Sequence, residues 1–180
     1  MYKYEKDHFN DFSSIITVSD LDKQLVKNLS GHNNVFVVEN GVDVSYFKPL
    51  ETTKINCVIF SASMDAFSNQ NAVHYFMDKI FPLIKRELSD VKFYIVGRNP
   101  NNSIRNLAKR KDVIVTGTVD DVRPFIAKAY VNVVPLQVGG GTRLKILEAM
   151  SMGIPVVSTP VGAEGLKVKH YENILIADSE

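Results

Sequence analysis

"VNVVPLQVGGGTRLKILEAM", residues Val131 to Met150, reads as a strand, a glycine loop and a helix in that order. The run Val131 to Leu136 is apolar and β-branched apart from Asn132. Continuous apolarity is expected of a strand covered on both faces, as in parallel sheets. Gly139, Gly140 and Gly141 interrupt any regular element, and a helix opens at Thr142 and Arg143. On that helix Glu148 shares a face with Leu144, Leu147 and Ser151. A strand running through a short loop into a helix is the repeating unit of open α/β sheets, whose ligands sit at the carboxyl ends of the strands.

The same alternation extends in both directions from this stretch. Short apolar runs predict strands over Ser14 to Ser19, Val35 to Asn40, Ile55 to Ala62 and Val91 to Gly97. Four more follow over Asp112 to Gly117, Val131 to Leu136, Pro155 to Pro160 and Asn173 to Asp178. Helical spacing between them is longest over Asn69 to Leu88, where Val73, Phe76, Met77, Ile80, Phe81 and Ile84 recur on one side. Shorter helix candidates are "SDLDKQLVKNL", "SIRNLAKR", "DVRPFIAKAY" and "TRLKILEAMSM". The predicted fold class is α/β, a Rossmann-like parallel sheet with helices on both faces.

The polar, turn-rich stretch from Asn40 to Lys54 divides the chain. Two strands and one crossover helix precede it, too little to bury a parallel sheet on both faces. Residues 1–46 are therefore expected to be the tail of an N-terminal domain, 47–54 a linker, and 55–180 a second domain truncated before its C-terminal helix.

Bulk properties narrow the function classes. In 180 residues, 45% are hydrophobic and 23% charged, ordinary values for a globular protein. A formal net charge of +1 argues against a nucleic-acid partner, which would call for a basic excess. Cys57 stands in the apolar run "INCVIF" and reads as a small core hydrophobe. The four histidines show no ligand spacing, and no metal site is expected. No apolar stretch approaches the roughly 18 residues of a membrane span, and no leader pattern is present, so a cytoplasmic setting is the expectation.

The glycine loop is the first site candidate. Glycines let backbone N–H groups approach an anion, and the following helix start adds partial positive charge. Arg143 and Lys145 supply full charges suited to a diphosphate. The competing reading is a flexible loop with solvated cations. Glu148, on a helix apolar nearly all round, needs donors. Ligand hydroxyls are one source, and Lys145, three residues earlier, is the other. Further loops at the same sheet edge are "SASMDAFSNQN", with Ser61, Ser63, Asp65 and Asn69, then "GRNP", "GTVDDV" and "TPVGAEGL". Arg98 is their best single candidate, balanced against an ordinary surface arginine.

Taken together, "VVENGVDVSYFKP", "VIFSASMD", "FYIVGR", "VIVTGTVDDVRPF" and "VNVVPLQVGGGTRLKILEAMSMGIPVVSTPVGAEGL" resemble the group-1 (family 4) retaining glycosyltransferases of GT-B architecture. The likeness runs from about Ser14 onward. It implies two Rossmann-like domains, the C-terminal one binding a nucleotide-sugar donor and the N-terminal one holding a saccharide or lipid-linked acceptor. It further implies a part in cell-envelope polysaccharide biosynthesis and peripheral membrane association of the full-length protein. No cofactor or metal is implied beyond the co-substrate. By the resemblance Glu148 matches the second glutamate of the E-x7-E motif and contacts the donor ribose. Gly139, Gly140, Gly141, Thr142 and Leu144 face the donor phosphates and sugar, and Gly97 and Arg98 lie near the base. Arg143, Lys145 and Glu148 are the expected catalytic group. Two departures stand out: the first motif glutamate falls on Gly140, and the usual glycine after the first strand of the domain is Ala62. A non-catalytic nucleotide-sugar binding module and a GT-B-like UDP-sugar epimerase are the alternatives. A dehydrogenase is disfavoured because no GxGxxG follows the first strand of either part.

Overall fold

The computed structural model describes residues 2–179. Eight strands form, each inside a predicted run: β1 Ile15–Thr17, β2 Val35–Val37, β3 Cys57–Ser61, β4 Lys92–Val96, β5 Val113–Gly117, β6 Val131–Val134, β7 Val156–Ser158 and β8 Leu175–Ile176. Every pairing is parallel. β1 and β2 make a small sheet, and the other six lie in the order β5-β4-β3-β6-β7-β8. All five residues of β3 are buried, which explains why its sequence shows no polar alternation.

The helices are α1 Tyr2–His8, α2 Asp20–Ser30, α3 Phe67–Tyr75, α4 Phe81–Glu87, α5 Asn102–Leu107, α6 Arg123–Lys128, α7 Leu144–Ser151 and α8 Pro160–Ala163. α2 has both ends specified locally. Ser19 Oγ accepts from the Asp22 amide at 3.1 Å, and Gly31 closes it in the left-handed conformation at φ 69°.

The single helix predicted over Asn69 to Leu88 is divided. A π-helical segment, Phe76–Ile80, separates α3 from α4, and the Phe81 amide reaches back to the Phe76 carbonyl. Pro82 supplies the reason. It has no N–H to donate, and its ring would collide with the carbonyl four residues back in a continuous α-helix. One wide turn moves the proline into the first turn of α4, where neither defect costs anything. The helical face is kept: Phe76 and Phe81 are buried and stack around Phe93 of β4, with ring centroids 4.5 and 5.8 Å from it.

The strand order positions the site. From β3 the chain moves outward to β4 and β5, returns to the other side of β3 at β6, and continues to β7 and β8. The direction of winding reverses between β3 and β6, and loops leaving those two strands diverge to open a crevice at their carboxyl ends.

Candidate functional site

A cavity of about 600 Å³ occupies that crevice. Four loops build it, one from each of four strands. Ser61, Ala62, Ser63, Ser68 and Asn69 come from the β3 side, Gly97 and Arg98 follow β4, Thr118, Val119 and Val122 follow β5, and Leu136, Gly140, Thr142, Arg143, Leu144, Lys145 and Glu148 follow β6. Of the predicted site residues, Arg98, Gly97, Gly140, Thr142, Arg143, Leu144, Lys145 and Glu148 line it together. Gly139 and Gly141 do not. With φ of 124° and 84° they turn the loop through backbone conformations that L side chains rarely adopt. The "TPVGAEGL" loop misses the main cavity. Its Gly165 and Leu166 line a smaller adjoining one of about 140 Å³.

Gly97 earns its place by contact. A Cβ there would stand 1.7 Å from the Ala62 carbonyl oxygen, so the ends of β3 and β4 can meet only if position 97 has no side chain.

The helix on which the sequence reading centred starts at Leu144 rather than Thr142, with Arg143 at its N-cap. Arg143 does not reach outward as a free cation. Its Nη1 donates to the carbonyls of Gly140 and Gly141, while Nη2 is buried without a partner. The guanidinium is nearly covered, and its nearest acceptors are its own loop's carbonyls, which no regular ladder uses. Burial lowers its proton affinity, opposed by the charge of Glu164.

Lys145 does not take the course in which it would pair with Glu148, one of the two alternatives for that carboxylate. Its Nζ donates to Asn69 Oδ1 at 3.1 Å and stands 4.4 Å from the centre of the Phe60 ring. Desolvation, then the adjacent Arg143 cation, depress its ammonium to about 7, against an opposing pull from Glu148. Glu148 is raised above the ordinary carboxylate range by burial, with Lys145 pulling the other way. No hydrogen bond or ion pair engages its carboxylate among the described residues. The alternative in which Lys145 satisfies Glu148 is therefore corrected: the lysine turns across to α3, and the carboxylate faces the cavity.

Arg98 is half outside the site. Its Nε donates to Ser63 Oγ at 3.0 Å and lies 3.5 Å from Asp65. Asp65 is held below the usual carboxylate range, first by its bond from Ser63, then by one from Asn99. That aspartate thus orders the rim and leaves the interior. Ser68 and Leu136 are lining residues that the sequence did not single out, and Phe60, whose ring lies under the Lys145 ammonium, is a buried neighbour it did not single out either.

Cations outnumber carboxylates on the lining, Arg98, Arg143 and Lys145 against Glu148. Three polar atoms of lining residues are buried without partners: Ser61 Oγ, Thr142 Oγ1 and Arg143 Nη2. A site with this charge and these unused hydrogen-bonding atoms is matched to a polar anion. No group of three or more His, Cys, Asp or Glu side chains is placed to hold a metal among the described residues.

The family described as "Glycosyl transferases group 1" matches residues 56–180. The chain belongs to that family. Among curated proteins it is 29% identical over 136 residues to an uncharacterized 44.6 kDa protein in the cps region of Klebsiella pneumoniae, covering 69% of this chain and 34% of that one. Among solved structures it resembles TarM of S. aureus, with TM-score 0.79 and 17% identity over 99% of this chain and 36% of the other. It also resembles Anabaena HepE, solved in complex with UDP and glucose, with TM-score 0.77, 18% identity, and 99% and 53% coverage. At these identities the solved structures establish the shared fold. The chain spans about a third of the curated relative and a third to a half of these structures. Among the described residues no helix is long and apolar enough to cross a membrane.

Proposed function

We propose that this chain carries the donor-binding half of a glycosyltransferase that takes a nucleoside-diphosphate sugar and transfers the sugar, with retention, to a saccharide or lipid-linked acceptor. Residues 1–46 then belong to the acceptor-side domain, 47–54 to a linker and 55–180 to the donor domain. The observation that carries the reading is the placement of the cavity at the reversal point between β3 and β6, where open α/β sheets bind nucleotides. UDP stands in the solved Anabaena and S. aureus relatives and is the first nucleotide to try.

In this reading Lys145 and Arg143 stabilise the charge that grows on the departing diphosphate, and Thr142 and the Gly140 backbone lie beside it. Preorganised cations and N–H dipoles in a partly desolvated site supply such stabilisation at little reorganisation cost. Glu148 takes the ribose hydroxyls, which give its buried carboxylate the donors that the protein withholds. Arg98 and the loop from Thr118 to Val122 border the base. The reaction is assigned no cofactor and no metal, and the protein is placed in the cytoplasm at cell-envelope polysaccharide assembly, with peripheral membrane association in full length. Gly140, where a carboxylate would reach the sugar ring, favours a second reading, a binding module without transfer.

Calorimetric titration of the chain with UDP, GDP and ADP tests the donor reading. One nucleotide should bind in the micromolar to millimolar range, with heat lost in Lys145→Met. If no nucleoside diphosphate binds, the donor assignment falls. Slow hydrolysis of the matching sugar nucleotide by the full-length protein would separate the enzyme from the binding module.

A further inference from the structure

The segment Asp43–Phe47 lies away from the donor cavity yet is fastened to it from two directions. It is a turn closed by Asp43, whose Oδ1 accepts from the Ser45 and Tyr46 amides at 2.9 and 3.1 Å. The Asp43 carbonyl accepts from the Phe47 amide at 2.8 Å. Onto this turn Arg123 lays its guanidinium, with the central carbon 3.6 Å from the Tyr46 ring centroid, and donates Nη1 to the Tyr46 carbonyl at 3.1 Å. Its remaining edge forks onto Asp121, Nε to Oδ1 at 2.9 Å and Nη2 to Oδ2 at 2.7 Å. Asp121 also accepts from the Arg123 amide at 2.9 Å.

Thr118, Val119 and Val122 of that same loop line the cavity. On the other flank Ser151 Oγ donates to the Phe47 carbonyl. Ser151 ends α7, which carries Lys145 and Glu148 one to two turns earlier.

We propose that Arg123 is a positioning residue that clamps the 43–47 turn to the rim of the donor cavity, so that filling the cavity and fixing that turn are one cooperative event. A planar guanidinium can stack on the ring, fork onto the carboxylate and cap a carbonyl at once; an ammonium has neither the planar face to stack nor the paired donors to fork. Held at one face by the Tyr46 ring and along its edges by Asp121 and the Tyr46 carbonyl, it leaves the β5–α6 loop and the turn few independent arrangements. Since Ser151 ties the same turn to α7, a ligand that orders Thr118–Val122 and the α7 start also orders the polypeptide leading into the second domain. The identity of the ligand rests on the donor reading; the clamp itself does not.

Hydrogen exchange resolved by peptide tests this on the chain as it stands, in wild type, Arg123→Ala, Arg123→Lys and Tyr46→Phe. Without ligand, Arg123→Ala should speed exchange about tenfold in both 43–49 and 117–122, with β3 and β4 unchanged as proof of folding. Arg123→Lys should fail to restore protection, and Tyr46→Phe, which keeps the ring, should behave as wild type. With saturating UDP, wild type should gain protection in 43–49 as well as in 117–122, and Arg123→Ala only in 117–122. Faster exchange in 43–49 alone, with 117–122 untouched, would show that the two segments are independent and overturn the clamp. So would equal protection of 43–49 by UDP in wild type and Arg123→Ala. Absence of any UDP protection in 117–122 would count against the donor reading instead, and the ligand-free arm would still judge the clamp.

Discussion

Lys145 should make nucleotide binding fall with rising pH, above the range in which the nucleotide's phosphates titrate. Its ammonium is brought down to about 7, chiefly by desolvation and then by Arg143. In the empty site at pH 7 the lysine is therefore about half protonated. A bound diphosphate beside it favours the charged form and draws a proton from solvent. Above pH 7 each further unit removes about tenfold of the charged form, or about 1.4 kcal/mol, until binding to the neutral form takes over. Because the second ionisation of a phosphate lies near 6, affinity measured from pH 7 to 9 reports the lysine at constant phosphate charge, and Lys145→Met shows the part that the uracil N3–H contributes near pH 9. The affinity should drop by about one to two orders of magnitude, and calorimetry at pH 7.5 in two buffers of different ionisation enthalpy should report net proton uptake. The stability of the empty protein moves the opposite way. The folded state holds this proton less tightly than the unfolded chain, whose lysine titrates near 10.5. Lys145 therefore costs stability fully below about 7, and the cost fades as pH rises toward the unfolded value. Lys145→Met should raise the melting temperature near neutrality while leaving only the uracil's part of the pH dependence of UDP binding. A flat affinity from pH 7 to 9 in wild type, or the same slope in Lys145→Met, would refute the reasoning.

Three further outcomes follow from the same geometry. Glu148→Gln should weaken UDP more than inorganic pyrophosphate in parallel titrations, since the ribose is its assigned partner; equal losses would remove that role. Arg143→Ala should cost UDP affinity roughly 1–3 kcal/mol, the range for charged hydrogen bonds, and Arg143→Lys should not recover it because only a guanidinium has a second terminal nitrogen, Nη2, left unpartnered while Nη1 holds the Gly140 and Gly141 carbonyls. Gly97→Ala forces a methyl into the Ala62 carbonyl and should destabilise by roughly 3 kcal/mol or more. That loss would appear as a fall of about 10 °C in thermal unfolding, and an unchanged melting temperature would contradict the contact.

Much of the fold was legible because parallel strands buried on both faces leave unbroken apolar runs, and each of the eight runs carries a strand. The strand order was not, since nothing local in β3 and β6 declares them neighbours. Phe76–Ile80 was read as ordinary helix because apolar spacing survives a π turn; Pro82 was the available signal. At the site, the glycine loop and its cations were visible as a pattern of residue types. Their partners were not. Arg143 turns back on its own loop and Lys145 crosses to Asn69, choices set by which acceptors a crowded site leaves unused. The Arg123–Tyr46 stack joins residues far apart in sequence, and neither residue type announces the other.

The abutment of Gly97 on Ala62 has an evolutionary corollary. Two strand ends that touch backbone to backbone leave the base of the crevice no freedom to widen or narrow by side-chain exchange. A lineage exploring new ligands would have to vary the bordering loops, at positions such as 98, 118 and 140, while 97 stayed fixed. Saturation mutagenesis selected for folding alone should leave the same imprint, intolerance at 97 beside permissiveness at 140, where a new side chain would meet open space.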